Sequence, residues 1–195
     1  MGKQDFEKKP WITYIIIGIN ILIYVLTAFL SKNIMNSNIY VLVYLGAKVN
    51  ELIASGEYYR LITCMFLHGG LIHLALNMYS LYVIGPLVER VYGRVKYISI
   101  YFIAGIISSL FSYIFSSGIS IGASGAIFGL LGATLVFAIT IRKTVGKDFY
   151  NNILQVMVVN LIIGFSIPNI DNYGHIGGIV GGIIMAKIFQ IYKKK

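Results

Sequence analysis

The sequence predicts an all-α, polytopic membrane protein whose six transmembrane helices form one bundle. Two observations lead to this fold class. Of the 195 residues, 57% are hydrophobic and only 12% are charged, whereas about 25% of a soluble domain is charged. The apolar residues are also gathered in segments of about 20, the length at which a helix crosses the hydrocarbon core of a bilayer. We expect a single membrane domain over residues 1–195, because no repeat or low-complexity linker divides the chain.

Six apolar segments supply the predicted spans. The first, Ile12 to Leu30, is interrupted by only three polar side chains. A signal peptide is the alternative for this segment, but its apolar run should be shorter and should end at a small-residue cleavage site. The predicted spans cover approximately residues 12–30, 67–88, 95–115, 124–141, 152–167 and 174–191.

A long first loop over residues 31–64 separates the first two spans. Its charged residues are scattered among aliphatic and aromatic ones. We expect a structured loop in the membrane interface, with four tyrosines at the level of the lipid headgroups: Tyr40, Tyr44, Tyr58 and Tyr59.

The distribution of lysine and arginine predicts the orientation of the bundle. With six spans, 13 of the 16 basic residues fall on one side, and the positive-inside rule makes that side cytoplasmic. We therefore expect a multi-pass protein of the cell membrane with both termini in the cytoplasm. The distribution of the net charge of +9 indicates interaction with the bilayer rather than with nucleic acid. The 13 are Lys3, Lys8, Lys9, Arg90, Arg94, Lys96, Arg142, Lys143, Lys147, Lys187, Lys193, Lys194 and Lys195.

Several reaction classes receive no support from the sequence. A single cysteine, Cys64, provides neither an intrachain disulfide framework nor a Cys-rich metal site. The zinc-protease motif H-E-x-x-H is absent after both His68 and His73, and no predicted span contains an aspartate for an aspartyl dyad. We expect no metal and no cofactor. A transporter or channel remains as an alternative, although the chain shows no inverted repeat.

Three polar residues from three predicted spans lie at one depth. Ser124 is 18 residues before Arg142 and His175 is 18 residues before Lys193, so at helical rise both lie about 27 Å above the inner face. His73, counted from the end of its own span, comes to about 24 Å by the same rise.

Glycines beside Ser124 and His175 predict that their helices touch. Gly125/Gly129 in one span, and Gly177/Gly181 with Gly178/Gly182 in the other, are small-xxx-small pairs of the kind that bring membrane helices close together. We interpret Ser124 as a nucleophile and His175 as its general base. His73 and Asn77 share one helix face and, with the Ser124 N–H, are candidate donors of an oxyanion hole.

Each residue also has a structural interpretation that the sequence leaves open. Ser124 could be a packing residue in a glycine-rich helix, and His73 with Asn77 could join two helices by hydrogen bonds. His68 could be an interfacial residue or a partner of the site. Asp171, four residues before His175, could orient the imidazole or cap the last helix.

The motifs together resemble the rhomboid family of intramembrane serine proteases. The resemblance runs from Gly56-Glu57-Tyr58-Tyr59-Arg60, through the H-x-x-x-N of His73 and Asn77 and the G-x-S-G of Ser124, to the G-H-x-x-G of His175. It implies a six-helix core, a Ser124/His175 dyad without a third member, oxyanion donors at His73, Asn77 and the Ser124 amide, and no cofactor.

The resemblance also implies partners, and the chain departs from the family pattern at two positions. The expected partners are the lipid bilayer and single-span membrane proteins, which are cut near the outer face after entering past the fifth span. Tyr59-Arg60 stands where many relatives have Trp-Arg, and Phe128, one turn after Ser124, stands where relatives often have Tyr. We expect Phe128 to pack beneath the His175 ring, and we keep His68 as a candidate partner of the site residues. The alternative is an inactive family member that binds membrane helices without cutting them.

Overall fold

The computed structural model describes residues 9–145, 147–166 and 170–193, and this part of the chain is helical without any strand. Six long helices and three short ones occur there. The helices are α1 (Trp11–Ser31), α2 (Ile39–Tyr44), α3 (Asn50–Ala54), α4 (Arg60–Thr63), α5 (Leu71–Tyr92), α6 (Arg94–Phe115), α7 (Ser124–Val145), α8 (Lys147–Ser166) and α9 (Asn172–Lys193), with a 3₁₀ turn at Cys64–Phe66.

Four of the helices are long and apolar enough to cross a bilayer: Trp11–Ser31, Leu71–Tyr92, Arg94–Phe115 and Ser124–Ile141. The predicted all-α, polytopic fold class is thereby confirmed. Helices α8 and α9 have 20 and 22 residues, and their transmembrane placement, like the single domain over 1–195, remains a prediction. Helix α5 begins at Leu71, four residues after the predicted start at residue 67, because Leu67 and Gly70 are extended and separate the 3₁₀ turn from the helix.

Helix α1 begins at a carboxylate from another helix. One oxygen of Glu89 accepts the Ile12 N–H at 3.1 Å, and the other accepts the Thr13 N–H and the Thr13 hydroxyl, both at 2.8 Å. The first N–H groups of a helix have no intrahelical acceptor, so Glu89 supplies the cap that Pro10 lacks. The N-terminal end of α1 and the C-terminal end of α5 are joined by this contact.

The centre of the bundle is a close packing of α9 against α6 and α7. A side chain at Gly182 would overlap the carbonyl oxygen of Gly129, and one at Gly178 would overlap that of Gly125. Because these positions carry only hydrogen, the two backbones approach one another directly. The contact between the Ser124 and His175 helices that the glycines predict is present in the structure.

The first loop is a folded unit held by a buried arginine. The Arg60 Nη1 atom donates to the carbonyl oxygens of Val43 at 2.7 Å and Ala47 at 2.9 Å, and the Arg60 Nε atom donates to Glu57 at 2.8 Å. The Tyr59 hydroxyl and Arg60 both donate to Glu57 and lower the pKa of that carboxyl. The four loop tyrosines are largely exposed, as an interfacial position requires.

Candidate active site

Ser124 and His175 meet where α7 and α9 begin. The His175 Nε2 atom lies 3.0 Å from the Ser124 Oγ atom, within hydrogen-bonding distance. Ser124 is the first residue of α7, and His175 lies in the first turn of α9. The glycine contacts between the two helices lie directly below the pair, so the same packing that joins the helices sets the distance between the two side chains.

One contact holds the His175 imidazole, and another holds the helix end that carries it. The Phe128 ring stacks on it with centroids 4.3 Å apart and planes 22° apart. Asp171 caps α9, because its Oδ1 atom accepts the Gly174 N–H at 3.0 Å and its carbonyl oxygen accepts the His175 N–H at 3.1 Å. Phe128 therefore lies beneath the ring as expected, and Asp171 holds the helix end that carries the imidazole.

His73 reaches the same site from α5. Its Nδ1 atom accepts the Gly69 N–H at 3.3 Å, so a neutral ring carries its proton on Nε2. That Nε2 atom points to Gly122, where a Cβ atom would lie only 2.9 Å away. The geometry thus directs an N–H donor of His73 toward the residue two places before Ser124.

Asn77 and His68 take different positions around His73. The Asn77 Nδ2 atom donates to the His73 carbonyl oxygen at 2.9 Å, within α5, while the side chain still lines the cavity that contains Ser124. His68 is fully buried behind His73, with ring centroids 5.1 Å apart, and does not line that cavity. His68 therefore contacts the site through His73.

A cavity of about 1200 Å³ contains these groups. Its polar lining includes His73, Asn77, Ser124 and His175. Its apolar part continues down α5 and reaches α8, where it is lined by Leu76, Tyr79, Val83, Ile153 and Val156. A polar pocket with an apolar extension of this size can hold a peptide segment together with hydrophobic side chains.

The segment before Ser124 is anchored by Lys48, a residue that sequence reasoning did not single out. Its ammonium group donates to the carbonyl oxygens of Ser116 and Gly118, both at 2.9 Å. Its backbone forms an antiparallel bridge with Ser120, and burial lowers the pKa of the ammonium group. The available signal was a lone lysine in a stretch without any other charged residue, Val41 to Val49.

Gly122 completes this connection to the first loop. Its N–H donates to the Cys64 carbonyl oxygen at 2.9 Å, and its φ of +117° is one that side chains rarely allow. The glycine of G-x-S-G is therefore required by the backbone and by the approach of His73, so Cys64 and Gly122 together hold the chain that leads into Ser124.

The chain matches a known protein family and several known proteins. A family model described as the Rhomboid domain matches residues 55–191. The chain belongs to the rhomboid family. It is 46% identical to "Rhomboid protease GluP" of Bacillus subtilis over 185 residues, which is 95% of this chain and 36% of that protein. It is 38% identical to "RHOMBOID-like protein 5" of Arabidopsis thaliana over 157 residues, which is 75% of this chain and 49% of that protein.

Family membership confirms the resemblance drawn from the motifs, and with it a multi-pass membrane protein. This rhomboid chain spans about a third of the Bacillus relative and about half of the Arabidopsis relative. Within the described residues, no group of three His, Cys, Asp or Glu side chains could hold a metal ion. Asn160, another polar residue of a predicted span, has a side chain outside the described residues.

Proposed function

We propose that this rhomboid protein is an intramembrane serine endopeptidase that uses a Ser124/His175 dyad. The observation that carries the proposal is the 3.0 Å contact between the Ser124 hydroxyl and the His175 Nε2 atom. A serine becomes a nucleophile when a neighbouring base accepts its proton, and neutral imidazole is well suited to that role near pH 7.

The proposed reaction has two steps. The Ser124 oxygen attacks the peptide carbonyl carbon while His175 Nε2 takes the hydroxyl proton, and the same nitrogen then gives that proton to the departing amine. Water, deprotonated by His175, next attacks the acyl-enzyme and releases the new carboxyl end with Ser124 restored. The stacked Phe128 ring keeps the imidazole at Ser124 through both steps.

Charge that develops on the carbonyl oxygen needs donors placed in advance. The Ser124 N–H is one candidate, because the first N–H of a helix has no intrahelical acceptor. His73 is the second, since its Nδ1 atom is used as an acceptor and its Nε2 proton faces the cavity. Asn77 is the third, because an amide NH₂ has two protons and only one donates to the His73 carbonyl.

The shape of the cavity supports a membrane protein as substrate. Its apolar part lies between α5 and α8 and is lined by side chains such as Leu76 and Val156. A single-span helix that enters past α8 would keep its apolar residues against these walls while an unwound segment reaches Ser124. We propose that the protein lies in the cell membrane with both termini in the cytoplasm, which puts the cleavage near the outer face.

Cleavage of a model single-span substrate by purified, membrane-reconstituted protein tests the proposal. Ser124→Ala and His175→Ala should each lower kcat/KM by about 10³-fold or more, because either change removes the dyad. Ser80→Ala is the matched control: Ser80 lines the same cavity, but its hydroxyl donates to the Leu76 carbonyl oxygen of its own helix. This variant should stay within about twofold of wild type.

The same experiment distinguishes the alternative, an inactive family member that binds membrane helices. That protein would retain the substrate in a co-purification assay and cut it no faster than the Ser124→Ala variant does. Cleavage that persists in both dyad variants would reject the assigned pair.

A further inference from the structure

A second cavity lies at the end of the bundle opposite to Ser124. It has a volume of about 480 Å³ and is formed where the start of α1, the end of α5 and the start of α6 meet. On α5, Arg90 lies 17 residues beyond His73, a distance of about 26 Å along the helix axis. This cavity is therefore separate from the candidate active site, and we refer to it as the inner cavity.

The inner cavity is lined by three cationic side chains and one carboxylate: Lys9, Arg90, Arg94 and Glu89. Both oxygens of Glu89 are already engaged as the cap of α1, and Arg94 reaches Glu89 only at 4.0 Å. Glu89 is 4% exposed, so its negative charge interacts with the N–H groups at the start of α1 rather than with a ligand in the cavity. The cavity keeps an excess of positive charge.

Two groups in the inner cavity have donors left over. The Arg90 Nε atom is buried and has no hydrogen-bond partner among the described residues. A buried donor without a partner is costly, and more so when it belongs to a charged group. Helix α6 also begins here, and Gly93, the residue before it, has no side chain to cap the first N–H groups. An anion in the cavity would accept hydrogen bonds from both the Arg90 Nε atom and the first N–H groups of α6.

The geometry points to a phosphate group as the ligand of the inner cavity, with an anionic lipid headgroup as its source. A guanidinium presents paired donors that match phosphate oxygens, and Arg90 and Arg94 offer them from two helices, while Lys9 adds an ammonium group from the chain before α1. The cavity lies at the ends of apolar, membrane-length helices, where basic pockets bind the headgroups of anionic lipids. The bound lipid would tie α1, α5 and α6 together at this end.

The test measures lipid binding to the full chain in detergent by native mass spectrometry. Phosphatidylglycerol should occupy one saturable site, and phosphatidylcholine should not, because its trimethylammonium group would face the cations. Arg90→Gln/Arg94→Gln should weaken phosphatidylglycerol binding about a hundredfold, since removing each guanidinium should weaken it about tenfold. Inorganic phosphate is tested in the same way without lipid. Binding of phosphate alone indicates a site for the free ion, whereas a lipid site binds only when the lipid is present.

Lys96→Gln is the matched control. It removes one positive charge from the same helix start, but Lys96 lies over the Phe189 ring, 5.3 Å from its centroid, and does not line the cavity. The lipid affinity of this variant should stay within about twofold of wild type. Ser124→Ala should bind lipid as wild type does, so the outcome is independent of proteolysis. If the double variant does not fold, Arg94→Gln alone, with a side chain 57% exposed, should show about a tenfold loss.

Three outcomes would overturn the site. One is equal binding by wild type and the arginine variants, and another is an equal loss in Lys96→Gln. The third concerns Asp5 and Glu7, two carboxylates that precede Lys9 in the sequence. If wild type binds no phosphate compound while Asp5→Asn/Glu7→Gln does, a carboxylate of this chain is the occupant and the phosphate assignment is wrong.

Discussion

The two flanks of the candidate active site are packed in different ways. On one flank, α9 meets α6 and α7 through glycines, so that backbone lies against backbone. On the other flank, α8 contacts α7 and, over a smaller area, α9. Among its described side chains, Leu154, Val156, Val158, Val159 and Ile162 are 37–60% exposed. We expect the glycine-packed flank to be rigid and to fix Ser124 and His175, and we expect the α8 flank to be the loose one, past which a substrate helix would enter.

The largest expected effect comes from separating the rigid flank. Gly182→Val would drive a side chain into the Gly129 carbonyl oxygen, two turns below the Ser124–His175 pair. We expect the free energy of unfolding to fall by about 3 kcal/mol. We also expect kcat/KM to fall by about 10²-fold, because a shift of about 1 Å in the helix misplaces the imidazole. Chemical denaturation and substrate cleavage measure the two effects.

Gly18→Val is the control for this change. Gly18 lies in α1, and nothing lies within 4 Å of a Cβ atom placed there. The same substitution should therefore leave both stability and cleavage close to wild type. Equal losses in the two variants would show that valine in a helix, rather than the glycine contact, is responsible.

Phe128 tests whether the rigid flank also fixes the imidazole. Phe128→Ala removes the ring that stacks on His175, and we expect it to lose most activity, about tenfold to thirtyfold in kcat/KM. Phe128→Tyr keeps the ring and should retain activity. The measurement is cleavage at saturating substrate, where a misplaced base lowers kcat more than it changes KM. Full activity in Phe128→Ala would remove the ring from the mechanism.

Lys48 tests whether the first loop contributes to the rigid flank. Lys48→Met keeps the apolar stem and removes the ammonium group that holds the carbonyl oxygens of Ser116 and Gly118. We expect a loss of about 2 kcal/mol in stability, since two partly buried hydrogen bonds lose their charged donor, and a fall of about fivefold in kcat/KM. Lys32→Met, at an exposed position of the same loop, should change neither quantity. A stable but equally impaired Lys48→Met would point to an effect on chemistry rather than on the loop.

Local sequence patterns could predict the helices and the depth of the candidate pair. Apolar segments with basic residues at their ends define the helices. Equal spacing from those basic residues puts Ser124 and His175 at one level. Glycine spacing then indicates which helices touch, because only small residues let backbones meet. These inferences need no knowledge of the rest of the fold, and the two side chains lie 3.0 Å apart in the structure.

Contacts between distant parts of the chain could not be predicted in this way. Glu89 caps a helix 76 residues earlier, and Lys48 holds a carbonyl 68 residues later. In each case one polar residue satisfies backbone groups that only the folded chain brings near it, so no local period reveals the partner. The start of α5 at Leu71 depends likewise on Gly70, which is extended and pairs with Asn36 of the first loop.

The smallest expected effect comes from loosening the flank that is already loose. Among the described α8 side chains, Met157 is the one buried in the core of the bundle, at 5% exposure. Met157→Ala should lower the free energy of unfolding by about 2 kcal/mol. If α8 limits entry, kcat/KM for a single-span substrate should rise by about twofold, while cleavage of a short soluble peptide should not change. Val158→Ala, at an exposed position of the same helix, is the control. An equal change for both substrates would mean that Met157 supports the site itself, and the contrast between a fixed flank and an opening flank would then fail.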